Sequence, residues 1–218
     1  MNKRYDYIIV GAGSAGCVVA ERLSRDPSKT VLLLEAGGKN NNMLLSVPLA
    51  AAAILTNKKF SWCYNTEPEK NLNNRSISWP RGKTLGGSSS INGMIYIRGQ
   101  REDYDNWAAL GNRGWSYDEL LPYFIRNENN NDLSGPYHGN SGAQWVSNIA
   151  HEFEMSDTFI EAATDSGIPL NNDFNGASQE GVGYFQAMIK NGRRQSSATD
   201  YLSLCKKRKN FILITKAL

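Results

Sequence analysis

An α/β fold with a parallel sheet is what the sequence predicts, and three observations carry it. Tyr7-Ile8-Ile9-Val10 is an apolar run suited to a buried parallel strand. Gly11, Gly13 and Gly16 follow in G-x-G-x-x-G spacing and open a helical stretch, ended by Asp26-Pro27, whose Val18, Val19 and Leu23 are expected to face inward. A second apolar run, Val31-Leu32-Leu33-Leu34, stops at Glu35.

Each part has a physical job in a Rossmann-like dinucleotide site. Gly11 permits the tight turn, Gly13 lets backbone approach a pyrophosphate, and Gly16 lets helix and strand close on each other. The free N–H groups at the helix start and the helix dipole favour phosphate charge. Glu35, at the tip of the second strand, can accept the hydroxyls of an adenosine ribose. An acid there argues against a 2′-phosphate, hence against NADP. The stretch does not separate FAD from NAD. A structural glycine turn is the alternative, and the flanking strand, helix and acid argue against it.

Further along, Gly37 to Asn42 is a loop by composition. The apolar window Met43 to Leu55 contains Pro48 and is too short to span a bilayer, so it reads as a buried helix, with Leu49 to Leu55 its Ala-rich part. Phe60 to Thr66 reads as a strand, and after a polar turn at Asn71 to Asn74, Ser76 to Trp79 is its hairpin partner. Pro80 to Gly99 holds Gly86-Gly87-Ser88-Ser89-Ser90, a nest of backbone and hydroxyl donors suited to a phosphate or the edge of a planar ring, with Asn92 offering an amide. A flexible linker is the other reading, and the apolar Ile91, Met94, Ile95 and Ile97 immediately after it argue against that.

Asp103 to Leu110 reads as a helix closed by Gly111 to Gly114, and Ser116 N-caps a second over Asp118 to Phe124. Glu128 to Asp132 is expected to be a loop, His138 to Gly142 a turn, and Trp145-Val146 the start of a strand. Asp157 to Gly167 reads as an amphipathic helix, Asp173 to Gly176 as a turn, and Gly181 to Ile189 as a strand. Asn191-Gly192 turns the chain toward a helix with Tyr201, Leu202 and Leu204, and Phe211 to Ile214 is a last strand.

Composition excludes several classes. The net charge of +3 over 218 residues is small and dispersed, and it says little about nucleic acid or membranes. Lys206 to Lys209 is read as a solvated helix end. Cys17, Cys63 and Cys205 lie far apart and fit neither a disulfide framework nor a metal site, as in a reducing, cytoplasmic compartment. Residues Met1 to Asp6 lead straight into the first strand, so no signal peptide is expected, and no transmembrane segment is either.

These residues together resemble the glucose–methanol–choline family of oxidoreductases. The resemblance rests on Tyr7–Glu35 with Ala36-Gly37-Gly38, on Trp79-Pro80-Arg81-Gly82-Lys83, and on Leu85-Gly86-Gly87-Ser88-Ser89-Ser90-Ile91-Asn92-Gly93. It extends through Tyr96-Ile97-Arg98-Gly99, Asp103-Tyr104-Asp105, Gly114-Trp115-Ser116-Tyr117 and Asn191-Gly192-Arg193-Arg194 with Ser196 and Tyr201-Leu202. It implies FAD as cofactor, held non-covalently because Ile91 stands where some relatives carry a flavin-linking histidine. It implies that Gly11, Gly13, Ser14, Ala15 and Gly16 hold the pyrophosphate and that Glu35, with Ala36, holds the ribose. Gly86, Gly87, Ser88, Asn92, Gly93 and Met94 would line the pyrophosphate and the flavin ring.

The resemblance further implies an FAD-binding domain over residues 1–148 and 190–218, and the start of an antiparallel-sheet substrate region over 149–189, both incomplete. The implied activity is oxidation of a primary alcohol such as choline, with electrons leaving to oxygen, a quinone or another acceptor; such proteins are cytoplasmic or membrane-associated. The catalytic histidine of such proteins lies near the far C-terminus. Neither His138 nor His151 matches it, both are expected to be loop or surface residues, and no catalytic residue is assigned. A non-catalytic FAD-binding fragment, or one half of a split flavoprotein needing a partner chain, is the second reading.

Overall fold

The computed structural model describes residues 3–218; Met1 and Asn2, part of the stretch read as lacking a signal peptide, lie outside them. The described residues form two compact units, residues 3–94 with 192–218, and residues 95–191. The boundary read at 148/149 falls inside the second unit.

The first unit opens with β1 (Tyr7–Val10), α1 (Ser14–Leu23) and β2 (Val31–Glu35), followed by α2 (Met43–Ser46), α3 (Ala51–Leu55), β3 (Tyr64–Asn65) and β4 (Ser78–Trp79). The second unit carries α4 (Arg101–Ala109), α5 (Tyr117–Asn127), β5 (Glu128–Asn130), β6 (Gln144–Val146), α6 (Glu154–Asp165) and β7 (Ile189–Lys190). The chain then returns to the first unit through β8 (Arg193–Arg194), a π-type turn at Ala198–Leu202, α7 (Ser203–Cys205) and β9 (Phe211–Thr215).

The first unit is built on a parallel sheet in the order β1-β2-β9. The central strand pairs on both sides, Tyr7 opposite Val31 and Val31 opposite Phe211. Its Val31, Leu32 and Leu33 are buried, as expected for a strand covered on both faces. β1 is the difference: it is an edge strand, with Ile8 59% and Val10 83% exposed rather than buried. The inward face of α1 is also not the expected one. Cys17, Ala20, Glu21 and Ser24 are buried, whereas Val19 is exposed. Small residues on that face let the helix approach the sheet closely, and hydrophobicity alone did not reveal it.

Glu21 is held there by Arg208 Nη2 at 2.9 Å and Arg25 Nε at 2.9 Å. Arg208 also donates to the Glu21 carbonyl and to Ser24 Oγ, so one member of the basic run 206–209 is a structural clamp, not a solvated cation. The window Met43 to Leu55 is no continuous buried helix. Pro48 confines Val47 to an extended conformation and splits the segment; only Leu45 and Ile54 are buried, in a cluster with Phe60 and Ile91, while Leu49 is exposed. β3 is shorter than expected because Cys63 takes a left-handed φ of 51° and interrupts the ladder between the Ser61–Gly82 bridge and Tyr64–Trp79.

In the second unit, Ser116 is the N-cap of α5 as expected and forms a capping box with Glu119, and Gln100 and Asp103 form another at α4. Two expectations fail. Gly181 to Ile189 is mostly irregular, since Val182 and Ala187 pair one residue at a time with different partners. Glu128–Asn130 is a strand, β5, parallel to β6.

That strand is polar and buried, and its hydrogen bonds explain why. Glu128, fully buried, accepts Arg98 Nη2 at 2.9 Å and the Gly139 N–H at 2.9 Å on one oxygen. Its other oxygen takes Asn130 Nδ2 at 2.9 Å and faces His138 Nδ1 at 3.1 Å. His138 Nε2 meets Asp173 Oδ2 at 2.9 Å, and Asn130 exchanges bonds with Gln186. His138 is therefore a buried network residue, not a surface one, while His151 is exposed.

Hydrogen bonding to Glu128, and then to Asp173, raises the His138 pKa above its ordinary 6.5 despite burial. Burial pushes Glu128 up, but bonds from His138, Asn130 and Gly139 outweigh it and hold the carboxyl below 4.5. The His138 contribution is thus complete below pH 6.5 and lost as pH rises through the raised value; the Glu128 contribution is complete above 4.5 and lost as pH falls through the lowered value. The urea midpoint of this unit is expected to be highest near about pH 6 and to fall toward about pH 9. His138→Gln should flatten that fall, and a slope unchanged by the substitution would contradict the assignment.

Candidate functional site

The glycine turn and the Gly/Ser loop meet in the first unit. Gly11 leaves β1 and donates to the Leu34 carbonyl at 2.8 Å, which ties the turn to β2. Gly13 then caps α1. A Cβ at Gly16 would lie 1.9 Å from the Gly11 carbonyl oxygen, so only glycine lets the helix start this close to the turn. The second loop is a single 3-10 turn, Gly87–Ser90. The Gly86 N–H donates to the Ala12 carbonyl at 2.7 Å, and a Cβ on Gly87 would fall 2.7 Å from Gly13 Cα. The two loops touch backbone to backbone.

Glu35 fastens this junction from the third side. Its Oε2 accepts the Ala12 N–H at 2.8 Å and its Oε1 the Gly37 N–H at 2.8 Å. Each oxygen retains a second lone pair for a ligand hydroxyl.

The three pieces line one cleft of about 480 Å³. Among the residues singled out from the sequence, Gly11, Gly13, Ser14, Glu35, Ala36, Gly87 and Ser88 lie along it. Ala15 is exposed on α1, Gly16 packs against the turn, and Gly86 is buried behind Gly87. Asn92, Gly93 and Met94 lie beyond this cleft, in the turn that follows; the Asn92 N–H donates to the Ser88 carbonyl at 2.9 Å. Trp62 and Arg81 also line the cleft, with no role assigned from the sequence. Among the described residues Arg81 is the one cationic side chain lining it, and its place in the Trp79-Pro80-Arg81-Gly82 motif was the available signal.

The serines divide by role. Ser89 and Ser90 are buried and donate to the Gly86 and Leu85 carbonyls at 2.6 and 2.7 Å, so they shape the loop. Ser88 accepts the Gly82 N–H at 3.1 Å and reaches the cleft. The Cys17 thiol, buried against the Ala12 carbonyl, is pushed up to about 12 by burial and is no nucleophile at neutral pH. Among the described residues no group of three or more His, Cys, Asp or Glu side chains could hold a metal ion, and no helix is long and apolar enough to cross a membrane.

Glycine turn, helix start, strand-tip acid and facing nest, set on a parallel sheet, define a Rossmann-type nucleotide-binding protein. More narrowly, the chain belongs to the GMC oxidoreductase family, whose description matches residues 5–218. It is 49% identical over 214 residues to an alcohol dehydrogenase (acceptor) of Pseudomonas putida, covering 98% of this chain and 39% of that protein. It is 45% identical over 216 residues to an oxygen-dependent choline dehydrogenase of Vibrio vulnificus, with the same 98% and 39% coverage. The structure superposes on an FAD-dependent oxidoreductase from Chaetomium thermophilum with a TM-score of 0.89 at 32% identity, covering 97% of this chain and 38% of that one. The chain therefore spans about two fifths of the length of the relatives it matches.

Proposed function

We propose that this chain forms the FAD-binding part of an oxidoreductase that acts on the CH–OH group of a primary alcohol, choline-like or other. The observation that carries the reading is the contact of the Gly11–Gly16 turn with the Gly86–Ser88 loop, with Glu35 at the same cleft. The names of the relatives and of the structural neighbour agree with it.

The residues present fit the cofactor. The α1 N-terminus, Ser14 and Ser88 offer donors to the pyrophosphate, Arg81 offers countercharge, and Glu35 and Ala36 suit the ribose. Asn92, Gly93 and Met94 serve the flavin ring, and no atom comes within 4 Å of where a Cβ on Gly93 would stand. Bound FAD would supply a hydride acceptor. Ile91, 2% exposed within the cluster of Leu45, Ile54 and Phe60, carries no nucleophile and leaves FAD non-covalent.

A second reading, that this chain binds flavin but needs another chain or segment for turnover, is favoured by one observation. Among the described residues, Glu35 is the only acidic side chain along the cleft, no histidine lines it, and both Glu35 oxygens already accept backbone N–H groups. Substrate, electron acceptor and any membrane association belong to the whole protein.

Purified chain is expected to bind FAD stoichiometrically, to release free flavin on acid denaturation, and to keep its flavin oxidised when choline or benzyl alcohol is added without oxygen. Absence of FAD binding would overturn the reading; flavin retained in the acid precipitate would overturn non-covalent attachment. Anaerobic bleaching would show a complete site.

A further inference from the structure

The sequence stretch Asn191-Gly192-Arg193-Arg194 has so far no role, yet Arg194 is among the most buried charges in the first unit, at 3% exposure. Its Nη1 donates to the Asn92 carbonyl and, at 3.0 Å, to Asn92 Oδ1; the first of these distances is 2.6 Å. Asn92 Oδ1 also accepts the Met94 N–H at 3.0 Å. Both lone pairs of that oxygen are occupied, so turning the amide over would set its NH₂ against two donors.

The orientation of Asn92 is therefore fixed. Its Nδ2 donates to no protein group among the described residues and remains a pure donor. The same bonds hold Met94 at a left-handed φ of 64°, a conformation a non-glycine residue keeps only when its surroundings impose it. Nε and Nη2 of Arg194 are buried without a protein partner among the described residues. A cation buried with three of its five N–H donors unused is costly, and hydrophobic residues could fill the space at lower cost. Packing alone does not account for an arginine here.

We propose that Arg194 is a positioning residue: it locks Asn92 as a hydrogen-bond donor toward an acceptor edge of the flavin ring. The inference rests on the FAD reading above, and it concerns the ring end of the cofactor, not the nucleotide end. The ligand chemistry it names is a planar heteroaromatic ring bearing carbonyl oxygens or unprotonated ring nitrogens.

Asn92→Asp separates this role from a structural one. The carboxylate still accepts from Arg194 and Met94, so the fold should be as stable as the parent, but the two donors are gone. FAD affinity is expected to fall on the order of tenfold or more, and the visible flavin bands of bound cofactor to shift. Binding of ADP, which engages only the Gly11–Gly16 turn and Glu35, should stay within about twofold. Arg194→Gln should give the same pattern, with Arg194→Lys restoring part of the FAD affinity. Unchanged FAD affinity and spectrum in Asn92→Asp, or equal losses of FAD and ADP, would overturn the proposal while parent binding of FAD stands. A parent chain that binds ADP but not FAD would instead remove the flavin reading, and this inference with it.

Discussion

Gly87→Ala is expected to weaken FAD binding by at least about 100-fold, roughly 2.7 kcal/mol. Residue 87 sits at φ +54°, where a Cβ costs about 1–2 kcal/mol by itself. The added carbon would also stand 2.7 Å from Gly13 Cα. Gly13 is backbone at the start of a helix and cannot swing away as a long side chain would. The loops must part, and the 2.7 Å bond from Gly86 N–H to Ala12 O is strained or lost. Every donor proposed above for the pyrophosphate would then move. Gly38→Ala is the control: nothing lies within 4 Å of its Cβ position, its φ is ordinary, and its affinity should match the parent within about twofold. Fluorescence titration of FAD decides it; equal affinities for Gly87→Ala and Gly38→Ala would show that the loop junction is not the binding site.

Glu128→Ala is expected to destabilise the second unit by about 3–5 kcal/mol, the usual cost of removing one partner from a buried ion pair. The Arg98–Glu128 pair is shielded at both ends, with side chains 3% and 0% exposed. Truncation would strand Arg98 Nη2 and the Gly139 N–H, take away the oxygen that faces His138 Nδ1, and leave Asn130 Nδ2 with its bond to Gln186. Arg98 would keep its bond to the Tyr137 carbonyl and its place over the Phe124 ring, which falls short of neutralising it. Glu128→Gln should cost less, because an amide still accepts from Arg98. The measurement is a urea midpoint at about pH 7 together with amide exchange at Asn130 and Gly139. Losses below about 1 kcal/mol would mean the network is solvated in solution.

The geometry of the glycine turn and strand tip was legible because its signals are local. Glycine spacing, flanking apolar runs and the acid at the tip of β2 all lie within residues 7–35, and the order of those pieces in space follows from backbone geometry. The polar strand Glu128–Asn130 was not legible. Its residues have low strand propensity, and what makes it a strand is supplied by Arg98, His138 and Gln186, at separations of up to 56 residues. The face of α1 was misread for a related reason: tight packing favoured Ala20 and Cys17 over the bulkier Val19. Trp62 and Arg81 were visible as motif members, but nothing in their spacing says that they border the cleft. Arg194 escaped because its partner Asn92 lies 102 residues earlier.

Glu35 couples recognition to architecture. The same carboxylate that would read a sugar also bolts the strand tip to Ala12 and Gly37, so a mutation there changes ligand preference and loop position together. Replacing Glu35 would therefore release the Ala12 and Gly37 N–H groups at the same moment as any ligand hydroxyl, and loss of binding in such a variant would not by itself measure sugar recognition.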